Sequence, residues 1–185
     1  MKKLILYSAL SASLGLLAAT QVSAADGSIA FSGRISSSTC SIHAGTASGS
    51  QNYTVQLPTL QAATFDSAGV VAGTVPYSIF VGKPDEASCP DGTVVKVHHL
   101  PESPQIDTMT GNLRPDESST ADGVQIQILN GDQSIINLAT NPDSNSYTVS
   151  GHTAELQFYG QYISTADSVT AGSVKSKVLY SMAFN

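Results

Sequence analysis

Hydrophobic residues recur at every second position through much of the chain. The first such stretch runs from Ser28 to Ile35. Ile29, Phe31, Gly33 and Ile35 share one face, while Ser28, Ser32 and Arg34 point the other way, with small Ala30 among them. Side chains on a strand alternate between faces, so this pattern predicts a strand with one apolar face. Tyr53, Val55 and Leu57 alternate with Thr54 and Gln56 until Pro58 ends the run. Val75, Tyr77, Ile79 and Val81 predict a further strand, and Thr93 to Leu100 is rich in β-branched residues. Val124, Ile126 and Ile128 alternate with Gln125 and Gln127, the signature of a half-buried strand. Ile135 to Leu138 and Ser146 to Val149 read as short strands. Ala154, Leu156, Phe158, Gly160 and Tyr162 face one way, opposite Glu155, Gln157, Tyr159 and Gln161. Val174, Ser176, Val178, Tyr180, Met182 and Phe184 share one face up to the last residues.

Between these runs lie turn and loop signals. Ala44 to Ser50 is a small-residue loop, and Leu60 to Gly73 holds turn formers with Phe65 as an anchor into the core. Gly82-Lys83-Pro84-Asp85 turns towards Cys89, Pro101 to Ser119 is a long polar connection with three prolines, and Asn130-Gly131-Asp132 is a turn. No segment beyond the first residues has a helical period. Seven to nine short strands with frequent turns predict an all-β antiparallel sandwich.

Residues 1–24 are set apart. Lys2 and Lys3 precede an apolar run from Leu4 to Ala19, and Val22-Ser23-Ala24 is a small-residue cleavage site, together a secretory signal peptide. Cleavage after Ala24 leaves 161 of 185 residues, enough for one domain with a core. Losing Lys2 and Lys3 lowers the basic count from 8 to 6 against 14 acidic residues, a formal charge of −8. With no basic patch, nucleic acid is excluded as a partner class.

Export bears on the two cysteines, Cys40 and Cys89. An exported pair is read as one disulfide, closing a loop of about 50 residues and contributing roughly 4 kcal/mol in the chain-entropy picture. Two free thiols or a metal site are the rivals. His43, His98, His99 and His152 show no zinc-ligand spacing with the cysteines. His98 and His99 are adjacent and would face opposite sides of a strand. Asp116, Glu117 and Asp122 lack the spacing of a calcium loop and read as solvated loop charges. No nucleophile, zinc-protease or phosphate-cradling motif occurs. The expectation is a protein that is not an enzyme, with no catalytic residue, cofactor or metal.

The leading strand has only the leader ahead of it, so its apolar face must dock elsewhere, in its own domain or in another molecule. The final alternation reaches Phe184. These ends, with Val75-Pro76-Tyr77-Ser78-Ile79 ahead of the second cysteine, Gly111-Asn112-Leu113, Gly123 to Asn130, Phe158-Tyr159-Gly160-Gln161-Tyr162 and Val169-Thr170-Ala171-Gly172, come in an order and spacing that resembles the fimbrial subunits of the bacterial chaperone–usher family. The resemblance spans the mature length. Two departures stand out: Phe184 and Asn185 where many members have tyrosine, and a second cysteine some residues after its strand.

The resemblance implies an immunoglobulin-like sandwich, incomplete by one strand, with a donor-strand arm over residues 25–36 ahead of a pilin domain over 37–185. It implies a route through the periplasm to the cell surface, where the subunit, most simply as a homopolymer, builds a fimbria that supports adhesion. A periplasmic chaperone would first lend a strand, an outer-membrane usher would receive the complex, and the arm of the next fimbrial subunit would then fill the groove. Chaperone–pilin pairing is an established instance of strand addition. On this resemblance Ile29, Phe31, Gly33 and Ile35 are the donor positions, and Val178, Tyr180, Met182 and Phe184 form the groove edge that meets the chaperone. A fimbrial tip adhesin and a secreted carbohydrate-binding sandwich are the alternatives. The mature length leaves no room for an adhesin's extra lectin domain. The chain has no Trp for an aromatic sugar platform.

Overall fold

The computed structural model describes residues 40–185, and the expected leader, arm and donor positions Ile29, Phe31, Gly33 and Ile35 lie outside them. Seven strands occur among the described residues: β1 (Ile42–Ala44), β2 (Val71–Gly82), β3 (Val94–His99), β4 (Val124–Asn130), β5 (Tyr147–Thr148), β6 (Thr153–Ser164) and β7 (Tyr180–Phe184). One short 3-10 turn, Ala62–Thr64, precedes buried Phe65, whose ring meets Tyr162 edge-on at 6.3 Å. Two sheets form. One has the order β1-β2-β6-β4 and the other β5-β3-β7, with every pairing between strands antiparallel.

The alternation read from the sequence sets which side of each sheet is apolar. In β6, Ala154, Leu156 and Phe158 turn inward, and their register partners Val81, Ile79 and Tyr77 on β2 share that face. Val95 and Val97 of β3 close the core from the other sheet, and both are fully buried. Phe158 stacks on Tyr77 with ring centres 5.5 Å apart. Each fully buried aliphatic or aromatic side chain contributes roughly 1.5–3 kcal/mol.

Two glycines are required by the geometry. Gly82 has φ +71, and a Cβ there would run into the His152 carbonyl and the Cys89 sulfur. Gly73 has φ +73 within a register shift between Ala72 and Val75, where β2 bulges. Cys40 and Cys89 are joined, with Cα atoms 4.7 Å apart, so the expected disulfide is present. The Glu86 carboxylate clasps the same region, accepting from Ser41 N at 2.7 Å, Ser41 Oγ at 2.6 Å and Ser88 Oγ at 3.3 Å. These bonds hold its carboxyl below the usual range.

Several sequence expectations are corrected. Tyr53 to Leu57 forms no strand, and Val174 to Leu179 leads into β7 without strand pairing of its own. Ile135 to Leu138 supplies only a bridge, Leu129 to Ile135, beside β4. Conversely, β1 falls where no strand was expected, because three residues are too few to show a period. Gln125 and Gln127 do not face solvent but are buried. They belong to a directed chain of donors along the outer face of the four-stranded sheet. Thr74 Oγ1 donates to Gln161 Oε1 (2.7 Å), Gln161 Nε2 to Gln127 Oε1 (2.9 Å), Gln127 Nε2 to Asn112 Oδ1 (3.3 Å), and Asn112 Nδ2 to Gln125 Oε1 (3.2 Å). Gln125 Nε2 ends the chain on Asp107 Oδ2 (2.9 Å). Buried amides are tolerated here because each finds a partner.

His98 and His99 do face opposite sides. His98 Nδ1 meets Asp143 Oδ1 at 2.6 Å, beside the Lys96–Asp143 ion pair, on the outer face. His99 turns inward, its Nδ1 on the Pro142 carbonyl at 2.8 Å and its ring edge-on to Phe158. Burial pushes the His99 pKa down.

Two predictions arise from this core. Maleimide labelling of the exported protein without reduction finds no thiol, and Cys89→Ser lowers unfolding stability by roughly 2–5 kcal/mol in a denaturant titration. The folded chain holds His99 neutral while the unfolded chain protonates it below a pKa of about 6.5. The stability this contributes is therefore present above that pH and is lost as pH falls through the lower folded pKa. The carboxylates with lowered pKa act only in a more acidic window. His99→Gln should flatten the mildly acidic limb of a stability-versus-pH curve, and an unchanged limb would rule out this origin.

Candidate functional site: the open edge of the last strand

β7 is paired on one side only among the described residues. Asn185 and Val94 exchange both backbone hydrogen bonds, at 2.8 and 3.1 Å, and Leu100 N donates to the Leu179 carbonyl at 2.8 Å. In an antiparallel ladder the peptide groups alternate sides along each strand. Residues 179, 181, 183 and 185 therefore point their N–H and C=O groups at β3. Val178, Tyr180, Met182 and Phe184 point theirs away from it, and none of these groups has a backbone partner among the described residues.

The same four residues send their side chains inward. Phe184, Met182 and Tyr180 register with Val95, Val97 and His99, and all four pack against the buried core while remaining half-exposed. Burial pushes the Tyr180 hydroxyl pKa up, as it does for Tyr77, which also packs against the core. The combination of inward apolar side chains and outward unpaired peptide groups is a sheet edge with its core side uncovered.

Across from this edge lies the extended stretch 51–60. The Tyr180 hydroxyl donates to the Gln51 carbonyl at 3.0 Å, which ties the two stretches at one point. Further along, Leu57 lies 3.8 Å from where a Gly160 Cβ would sit on the inner face of β6, and Pro58 and Leu60 lie 3.1 Å from the equivalent position at Gly73. Val55 and Leu57 are half-buried, and residues 53–60 make no backbone hydrogen bond among the described residues. The alternation seen there reflects an extended chain with one side on the core. The peptide groups of residues 53–60 and the outward row on β7 are both without backbone partners among the described residues.

The arrangement offers backbone donors, backbone acceptors and apolar surface. Among the described residues no three His, Cys, Asp or Glu side chains group as metal ligands. Asp116 is taken up by its own loop, accepting from Ser118 N (2.9 Å), Ser118 Oγ (2.7 Å) and Ser119 Oγ (3.3 Å). Of the positions expected at the groove edge, Tyr180, Met182 and Phe184 lie on β7, and Val178 lies just ahead of it in the run that leads into the strand. The position of residues 51–60, touching β7 at Tyr180, was not expected from the sequence, which showed only their alternation.

Known proteins place this geometry. Residues 29–185 match the family model described as fimbrial protein. The chain is 33% identical over 178 residues to the F17 fimbrial protein of Escherichia coli, covering 92% of this chain and 96% of that one. It is 32% identical over 170 residues to the major fimbrial subunit SMF-1 of Stenotrophomonas maltophilia (strain K279a), covering 88% and 94%. Among solved structures it resembles the P pilus rod subunit PapA, with a TM-score of 0.57 at 14% identity over 79% of this chain and 99% of that one. The fold is thus the immunoglobulin-like sandwich of pilin subunits. The chain belongs to the fimbrial protein family, as a structural and non-enzymatic subunit of a chaperone–usher pilus at the bacterial surface.

Proposed function

We propose that this subunit polymerises by strand donation. The observation that carries the reading is the β7 edge, where Val178, Tyr180, Met182 and Phe184 combine inward side chains with outward, unpartnered peptide groups. An exposed edge of this kind templates aggregation unless another strand covers it. In the periplasm a chaperone strand covers it, and at the outer membrane an usher hands the complex to the growing fibre. There the arm of a second copy takes the chaperone's place. Residues 25–36 supply that arm, with Ile29, Phe31 and Ile35 placing apolar side chains and Gly33 passing a shallow part of the groove. Main-chain hydrogen bonds give the arm its hold, and the alternate side chains give it register.

Three variants test this reading. Deleting residues 25–36 should leave a subunit that folds and co-purifies with its chaperone but cannot be incorporated as a donor, read as loss of polymer ladders from surface extracts. An insoluble deletion variant in ample chaperone would place the arm in its own core and overturn the reading. Gly33→Leu should leave the chaperone complex intact while slowing exchange between subunits, since overpacking costs about 1–3 kcal/mol. Phe184→Ser should lower periplasmic levels through weaker chaperone capture, and undiminished co-purification would count against the assigned edge.

A further inference from the structure

Beyond the disulfide, the sulfur chemistry of the mature chain rests on two thioethers. Cys40 and Cys89 are joined, and the methionines after the expected leader are Met109 and Met182. They stand in opposite settings. Met109 is on a loop tip, where its N–H donates to Asp107 Oδ1 at 2.8 Å, and it is 94% exposed. Met182 lies between Tyr180 and Phe184 on the open edge of β7. It registers with fully buried Val97 and packs against the core. Yet it stays half-exposed, beside peptide groups that have no backbone partner among the described residues.

Methionine is an adaptable apolar filler, whereas its sulfoxide is polar and accepts hydrogen bonds. The donors around Met182 are already committed. The Tyr180 hydroxyl donates to the Gln51 carbonyl, His99 is neutral with its Nδ1 on the Pro142 carbonyl, and the Val97 N–H donates to Ser144 Oγ at 2.9 Å. A sulfoxide oxygen held against the core would lack a partner, and burying an unsatisfied polar group is unfavourable. Swung outward, it would take an N–H from the open row on β7, which an incoming strand needs. Either placement opposes the entry of a strand.

We propose that Met182 is an oxidation site whose conversion to the sulfoxide disables the groove. The oxidant class is a small hydroperoxide, of which hydrogen peroxide is the simplest. A sulfur lone pair attacks one peroxide oxygen and the O–O bond breaks. An S–O bond forms, the proton on the transferred oxygen passes to the departing hydroxide, and water leaves. Sulfur gives up two electrons and the peroxide takes them. The thioether is reachable while the edge is uncovered and shielded once a strand lies over it. A subunit awaiting its partner is therefore disabled, and one already in the fibre is spared. This rests on the strand-donation reading. Met109 is not part of the edge and is oxidised without that consequence.

The test uses the mature chain, both as intact fibres and as subunit released from its chaperone. Each is exposed to hydrogen peroxide and read by peptide mass spectrometry. Met182 should gain one oxygen severalfold faster in the released subunit than in fibres, and equal rates overturn the proposal. In Met109→Leu, Met182 is the remaining thioether of the mature chain. Peroxide should lower that variant's affinity for a synthetic peptide of residues 25–36 about tenfold or more. Methionine sulfoxide reductase should restore it. In Met182→Leu, affinity before and after peroxide should be the same, the untreated variant being its own reference. Undiminished binding by oxidised Met109→Leu contradicts the proposal while leaving strand donation standing. Loss of the folded signal in circular dichroism after peroxide would place the damage in the core rather than the groove, and overturns it too. Failure of the unoxidised subunit to bind the peptide would instead contradict the strand-donation reading on which it rests.

Discussion

A strand that turns apolar side chains into a core must pair its peptide groups on both sides or leave one row unsatisfied. β7 satisfies one side against β3 and leaves the other side open among the described residues. The organisation of the molecule follows from this constraint. Phe184, Met182 and Tyr180 register with Val95, Val97 and His99, and with Val178 they pack against the core while half-exposed. Residues 51–60 meet β7 at the Tyr180 hydroxyl without pairing its open peptide groups among the described residues. On the proposed reading a strand from elsewhere pairs with this row, and assembly then completes the fold.

The remaining framework holds that edge in place. The disulfide and the Glu86 clasp fix the start of β1 to the turn after β2, so the stretch that follows β1 leaves in a defined direction. The donor chain from Thr74 through Gln161, Gln127, Asn112 and Gln125 to Asp107 ties β2, β6 and β4 together across their strands. Cross-strand pairs of this type stabilise sheets by a few tenths to about 1 kcal/mol each. Their direction, ending on a carboxylate, adds a charge-assisted bond at the terminus. A sheet stiffened on its outer face holds its inner face in one shape, as the proposed strand pairing requires.

The sequence made some of this legible and hid the rest for physical reasons. The parity of Tyr180, Met182 and Phe184 is local, so period two assigned their face correctly, and the inward set of β6 followed by the same logic. Tyr53 to Leu57 shows the limit of that logic, because an extended chain lying on a core alternates as a strand does and periodicity carries no information about a ladder. Gln125 and Gln127 show another. A polar residue reads as solvent-facing unless its partner is known, and the partner Asn112 comes from a separate loop. The candidate edge was visible as a face of one strand. Its opposite wall at residues 51–60 was not, because that contact joins positions more than a hundred residues apart.

The account stands on whether assembly fills the open row of peptide groups on β7. Amide hydrogen exchange in intact fibres, quenched by dissolving them in an aprotic solvent and read residue by residue by NMR, measures this directly. The account predicts that the N–H groups of Val178, Tyr180, Met182 and Phe184 are as slow to exchange as those of Ser181 and Ala183, which already face β3. Fast exchange at the four even-numbered positions beside slow exchange at the odd ones would leave the edge open in the fibre and contradict it.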